Sequence, residues 1–502
     1  MKLSAYAQLE SIFARIGHLN AAERTLSWER RTLMPPGGLQ SRGKVLSTLR
    51  TVTNETLCSP GVSDLLDAAE SDGCANLNPW QAANLREMRR VWRHATAIPI
   101  ALQGAIAELE GPTESAWQRA RQHNDFKSFV GPLRSFLDLQ IEAAKTKAQS
   151  FGLAPYDVLL EEHEPGMRQA SIDPLFDDLA EFLPGLLREV VAKQRAAPSP
   201  IPMSGPFPED QQFALSKTLA TLIGFDFEHG RLDKTAHPFM SGIPGDIRIT
   251  TRFNPDEVRD SIIPTIHETG HAMYEAGLPA DWAFQPVGLA RGGATHESQS
   301  LIFEMQASRS SEFIQQLAKL LRESFGRQDA ALSDENVLRN YRVVTPGFIR
   351  GYADEVTYPL HIILRYRIER EILDGSLQVA DIPAAWNAMS QELLGVVPPT
   401  DSLGCLQDAH WAVGYFGYFP LYTLGALIAA QLFAAAQRDE PELLANLGRG
   451  DFNALLRWTR HNIHRHGSFY STGEEIVRQA TGEALSTRAL KKHLQARYLG
   501  VR

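Results

Sequence analysis

Apolar residues recur at three- and four-residue steps along most of this 502-residue chain, the spacing that gathers them on one face of an α-helix. "DPLFDDLAEFLPGLLREVVAKQRAA", Asp173 to Ala197, and "SSEFIQQLAKLLRESF", Ser310 to Phe325, show it most plainly. The opening "MKLSAYAQLESIFARIG" carries Glu10 and lacks a long apolar core or small-residue cleavage site, so it reads as a first helix and not as a signal peptide. Turns are expected at "LMPPGG" (Leu33 to Gly38), "AAPSPIPMSGPFPED" (Ala196 to Asp210) and "VVPPTDSLG" (Val396 to Gly404). There is no internal repeat. The pattern predicts a mainly α protein, one helical domain over residues 1–502, with a possible subdivision near 196–210.

One stretch breaks the helical rhythm. "HPFMSGIPGDIRITTRF", His237 to Phe253, is dense in Gly and Pro and then alternates Ile247 and Ile249 with Arg248 and Thr250. That alternation predicts a short strand, whose edge is of the kind that takes extended peptides by pairing. The next segment, "NPDEVRDSIIPTIHETGHAMYEAGLP", starts with Asn254-Pro255 and Glu257, a capped helix start. Pro264 does not suit a helix interior. The expectation is a short helix to about Asp260, then a second one with Asp260 as cap and Pro264 in its first turn, ending at Gly277 and Pro279.

Composition narrows the function classes. Hydrophobic content of 43% and charged content of 22% are those of an ordinary globular chain. A net charge of -9 argues against nucleic acid as the main partner. Cys58, Cys74 and Cys405 are odd in number and far apart. They favour a reducing, cytoplasmic setting and leave no cysteine-built metal site. The apolar run from Phe419 to Gln437 contains Pro420, Thr423, Gly425 and Gln431, and reads as a buried helix near the active site, with no membrane partner.

The chemistry centres on "IHETGHAMYE", Ile266 to Glu275. His267 and His271 are i and i+4 on a helix, their Cβ atoms about 5–6 Å apart, so both imidazoles can reach one ion. Glu268 faces the adjacent side, where it reaches a water instead of the ion. A third ligand is expected from "LARGGATHESQSLIFEMQASRSSEF". Glu297, after the flexible pair Gly292-Gly293, completes a His2Glu set with one coordination position left open, as catalytic zinc requires. His296 and Glu304 compete for that role, and His296 is assigned to the substrate side.

The chain resembles the carboxypeptidase Taq family of zinc metallocarboxypeptidases. "HPF" at His237 to Phe239, "DIRIT" at Asp246 to Thr250, "HETGH" at His267 to His271, "HESQS" at His296 to Ser300 and "LGCLQDAHW" at Leu403 to Trp411 occur in the family's order. Family-like wording continues through "RGYADEVTYPLHIILRYRIE" (Arg350 to Glu369), "GYFGYFP" (Gly414 to Pro420), "LSWERRTLMPPGG" near the N-terminus and "NIHRHGSFYSTGEEI" near the C-terminus. Two departures are Trp28-Glu29, where Trp-Asp is usual, and Pro264.

The resemblance implies an elongated, mostly helical fold with a deep substrate groove, N-terminal helices on one wall and zinc-site helices on the other. It also implies a homodimer, a Zn2+ cofactor with Co2+ able to substitute, and release of C-terminal residues from peptides with Glu268 as general base and acid. Through the family motifs, His237, His296, His410 and Tyr418 become candidates to stabilise the oxyanion. A terminal carboxylate calls for an arginine fork. Arg350 is the first choice, with Tyr418 assisting, and Arg248 on the predicted strand the second. The plain alternative for Arg350 is an ion pair with Asp354 at i+4.

Asp354 and Glu355 are also candidates to orient a ligand histidine, because the position four after Glu297 is Leu301 and offers no carboxylate. His461, His464 and His466 lie close in sequence without an acidic third group, which argues against a second metal site. The alternative functions are an endo-acting oligopeptidase on the same site and an inactive binding protein.

Overall fold

The computed structural model describes residues 3–71 and 77–501; Cys74 lies outside the described residues. Among them are twenty α-helices and one three-stranded sheet. The helical periodicity translates directly into burial. Helix Gln169–Arg195 buries Ile172, Phe176, Leu179, Leu183, Leu186, Leu187 and Val190, a single stripe. Helix Ser311–Phe325 is capped by the Ser310 hydroxyl, which accepts from Phe313 N–H, and stops at Gly326 with φ of 61°. The first helix, Ala5–Thr32, sends Tyr6, Leu9, Phe13 and Ile16 into a core with Val62, Leu66, Leu85 and Met88.

The chain folds into two compact units, each assembled from three separated segments. The first comprises Met1–Ala95, Pro200–Tyr341 and Ile428–Leu485; the second comprises Thr96–Ser199, Arg342–Leu427 and Ser486–Arg502. One crossing between them falls at Ser199–Pro200, within the Pro-rich stretch 196–210. The second unit is helical, built around Ile100–His123, Phe126–Phe151, Gln169–Arg195 and Tyr358–Asp374. The first unit adds the sheet. The apolar run forms helix Pro420–Asp439, whose most apolar window is 83% buried inside the protein.

The sheet runs in the order β1 (Gly230–Lys234), β3 (Asp246–Thr251), β2 (Met240–Ile243). The alternation at Ile247 and Ile249 becomes the central strand β3, with both isoleucines buried. Pro244-Gly245 turns β2 back into β3, Gly245 taking φ of 83°, which a residue with a Cβ resists. The sequence pattern did not reveal β1, which pairs parallel to β3 with Leu232 opposite Ile249. Its order of small, charged and apolar residues carries no clean alternation.

The segment before the histidine motif departs from expectation. No short helix forms from Asn254 to Asp260; Asn254 Oδ1 instead accepts from Asp256 N–H in a local turn. A single helix, Arg259–Ala276, then carries Pro264 in its second turn, with Val258 in the cap position and no side-chain cap. Asp260 is not the cap: its carboxylate accepts from Arg252 and Asn254. Glu29, the other departure, pairs with Arg42. Its neighbour Trp28 is buried beneath Arg248, whose guanidinium lies 4.5 Å from the ring.

Candidate metal centre

Two helices of the first unit build the centre, and a glycine sets how closely they meet. The histidine helix, Arg259–Ala276, buries Ile262, Ile266, Ala272 and Met273. Gly270 lies between its two histidines and against the glutamate helix, Gly293–Leu301. A Cβ at Gly270 would stand 2.6 Å from the Gln299 carbonyl oxygen and 2.7 Å from Ser300 Cα. Only glycine lets the backbones meet there, and that contact carries Glu297 up to the histidines.

The Glu297 carboxylate oxygen Oε2 lies 3.3 Å from His271 Nε2 and 3.7 Å from His267 Nε2. The three candidate ligand atoms lie within 4.8 Å of one another, the one such group among the described residues. Four tetrahedral ligands about 2.1 Å from an ion stand about 3.4 Å apart, close to both Glu297–histidine distances. His271 Nδ1 is buried with no hydrogen-bond partner. The outer nitrogen of His267 is engaged instead: Nδ1 sits 3.0 Å from Glu304 Oε2. Donating Nδ1–H to that carboxylate leaves the lone pair on Nε2, where a metal needs it.

Glu304 was a rival for the third ligand position, and its place is different. It lies in a π-helical turn, Ile302–Ala307, that continues the glutamate helix, a widening that often marks functional sites. Arg309 also binds its carboxylate. The support missing at Leu301 thus comes from seven residues past Glu297, the same helix face two turns on. Replacing Glu304 by Ala is expected to lower metal affinity about 10–100-fold. Competition with a chelator checks it, and unchanged affinity would mean that Glu304 does not orient His267.

His296 is not in the trio either. Its Nε2 is 3.0 Å from Glu275 Oε1, and its ring stacks on His271 at 4.5 Å. Charge is dense here. Burial opposes a proton on His267, but the carboxylates of Glu297, Glu304 and Glu268 outweigh it and raise its pKa, so a metal binding there would displace that proton from Nε2. Burial, then the neighbouring His296 and His267, push His271 down to about 4. Burial raises Glu268 to about 7, with His267 opposing and the Glu297 charge adding.

The sequence matches the family model for carboxypeptidase Taq (M32) metallopeptidases over residues 8–498. The chain belongs to that family. It is 36% identical to thermostable carboxypeptidase 1 of Thermus thermophilus, over 99% of this chain and 98% of the relative. Carboxypeptidase 1 of Bacillus subtilis is 35% identical, over 97% and 96%. The fold matches Trypanosoma cruzi metallocarboxypeptidase 1 with a TM-score of 0.96 at 38% identity, covering 98% of this chain and 99% of that one. The M32 carboxypeptidase of Deinococcus radiodurans gives 0.94 at 34%, over 99% and 100%. This M32 chain is accordingly a metallocarboxypeptidase, an enzyme that acts on peptides.

The other expected site residues fall in both units. In the first, His237 is exposed just before β2, and Arg248 on β3 closes its fork on Asp246, with Nε 2.8 Å from Oδ1. In the second, Arg350 occupies a short 3-10 turn, Arg350–Tyr352, so the helical i+4 argument for an Asp354 pair does not apply. Arg350 binds Asp408 instead, through Nε at 3.1 Å and Nη2 at 2.8 Å, while its Nη1 donates to the Tyr358 hydroxyl at 3.1 Å. His410 contacts the Tyr422 hydroxyl at 3.2 Å and stacks on Phe419. Tyr418 lies in the same aromatic cluster, its ring 6.0 Å from His410 and 5.5 Å from Tyr422.

The outer nitrogen of His267 is held by Glu304, and Asp354 and Glu355 have partners of their own. Asp354 accepts from the N–H groups of Thr345, Val356 and Thr357, and Glu355 binds His493 and Arg497. His461, His464 and His466 do not converge. His464 is buried against Gln299, with 3.0 Å between Nε2 and Oε1, while His466 packs on Tyr470. The Asp408 partnership and the Glu275–His296 contact had no local signal, since neither follows from a helical spacing.

Proposed function

We propose that His267, His271 and Glu297 hold a zinc ion and that Glu268 is the general base and acid of peptide hydrolysis. The convergence of two imidazole Nε2 atoms on one Glu297 oxygen, with the His267 outer nitrogen already bonded to Glu304, carries this reading. Zinc there, or cobalt in its place, supplies Lewis acidity toward a water and the scissile carbonyl. Glu268 removes a proton from the attacking water and later delivers it to the leaving amine. Its burial, which raises its pKa, favours the protonated form that delivery to the amine requires.

The family motifs make His296, His237, His410 and Tyr418 the candidates to donate to the developing charge on the carbonyl oxygen. His296 has the strongest support, because Glu275 fixes its ring beside His271. Arg350, aided by Tyr418, anchors the terminal carboxylate. Arg248 stays the second choice: Asp246 holds its Nε and Nη2 as Asp408 holds those of Arg350, but Asp408 also binds a second arginine, Arg365. The free thiols of Cys58 and Cys405 support a cytoplasmic setting. The family resemblance supports a homodimer, which light scattering would register as twice the chain mass.

An N-blocked tripeptide and its C-terminal amide, compared on the metal-loaded enzyme, test the anchor. Loss of a charge-assisted bidentate contact is worth roughly 1.5–3 kcal/mol, so the amide should fall about 10–100-fold in kcat/KM. Equal internal cleavage of both peptides would remove Arg350 from this role and make the enzyme endo-acting.

A further inference from the structure

We infer that Arg365, a guanidinium no substrate can touch, is the positioning residue that keeps Arg350 available to an incoming carboxylate, because the two arginines share the single carboxylate of Asp408. This deepens the reading of Arg350 as the anchor and rests on it.

Asp408 Oδ1 accepts from Arg350 Nε and Nη2, and Oδ2 accepts from Arg365 Nε at 2.6 Å. Two cations and one anion leave the group with one positive charge. A lone Arg350–Asp408 pair would be a closed, neutral salt bridge with little attraction for a substrate carboxylate. Arg365 divides the aspartate's charge, so Arg350 is held in place by Asp408 without being neutralised by it.

The rest of the geometry separates the two arginines by role. The Arg365 side chain is 0% exposed, against 16% for Arg350. Arg365 Nη1 donates to the His361 carbonyl at 2.7 Å, and its guanidinium lies 4.5 Å from the Trp386 ring. Asp408 and the His361 carbonyl thus hold it through Nε and Nη1, while Nη2, 2.6 Å from Asp408 Oδ2, makes no aligned hydrogen bond. Arg350 Nη1, by contrast, is bonded to a tyrosine hydroxyl, a neutral partner that can turn to accommodate a stronger acceptor. Among the described residues, the charges that act on Asp408 are those of Arg365, Arg350 and, when protonated, His410. Burial keeps the neighbouring His361 and His410 neutral, and the nearby guanidiniums reinforce it for both.

The test is steady-state kinetics on an N-blocked free-acid tripeptide with Arg365→Met, Arg365→Lys and Arg350→Met, all metal-loaded. Arg365→Met should raise KM about tenfold and weaken inhibition by the free product amino acid by the same factor, with kcat kept within about threefold. Arg365→Lys keeps the charge but not the planar fork, and should raise KM clearly less than Arg365→Met does. Wild-type KM in Arg365→Met overturns the inference, as does a tenfold rise in Arg365→Lys. The lysine variant decides the matter alone if the methionine variant does not fold. Unchanged KM in Arg350→Met would sink the anchor reading itself. Raised KM there, with none in Arg365→Met, would sink only the role of Arg365.

Discussion

Replacing Glu268 by Gln is expected to lower kcat about 10²–10⁴-fold while metal binding stays intact. The amide has the shape of the carboxylate and still offers an oxygen to the Met240 N–H that contacts Glu268. It cannot take or deliver a proton. Glu268 is also outside the group of converging ligand atoms, which come from His267, His271 and Glu297, so the ion has no reason to leave. The prediction therefore separates two quantities that a ligand mutation would lower together. Turnover of a free-acid peptide and elemental analysis of bound metal, measured on the same preparation, check it. Activity within tenfold of wild type would transfer the base role to another group. Lost metal with lost activity would make Glu268 a ligand or a structural support of one.

How much of this was legible in the sequence depends on how far apart the cooperating residues lie. His267 and His271 could be paired because helical geometry fixes what i and i+4 do, and the strand β3 announced itself through Ile247 and Ile249. Helices such as Ser311–Phe325 carried both their stripe and their caps in local sequence. Gly270 was visible only as a letter between two histidines; its need for no side chain arises from Gln299 and Ser300 on another helix. Asp408 is 58 residues from Arg350, and no periodicity links a short 3-10 turn to the residue that will hold it. Pro264 misled because a proline's cost to a helix is local, whereas burial of Ile262 and Ile266 pulls the whole segment into one helix. The two units share the same difficulty, since each gathers three distant segments and no stretch of sequence states its own membership.

Replacing Glu87 by Gln is expected to destabilise the protein by about 3–5 kcal/mol, the range for breaking a buried ion pair from one side. Arg291 is 0% exposed at its side chain and binds Glu87 with both terminal nitrogens, at 2.8 and 2.9 Å. Arg86 and Arg90 donate to the same carboxylate. Gln keeps one acceptor but leaves three guanidiniums without their anion. Burial works against the Glu87 charge, yet Arg291 and then Arg90 prevail and bring its pKa from 4.5 to about 2. A depressed carboxylate contributes stability that is fully present above its unfolded pKa and disappears as pH falls through the folded one. Glu87 should therefore contribute about 3 kcal/mol above pH 4.5, lost progressively toward pH 2.

The urea midpoint of the wild type should drop across that window, and Glu87→Gln should start lower at pH 7 and drop less. The node also bears on the metal centre. Arg291 N–H donates to the Tyr274 hydroxyl of the histidine helix, its Nη1 holds the Tyr470 carbonyl, and the glutamate helix begins two residues later at Gly293. Loosening it should weaken metal retention along with stability. An unchanged midpoint at pH 7 would mean that the three arginines find other partners, and that Glu297 owes its position to the Gly270 contact alone.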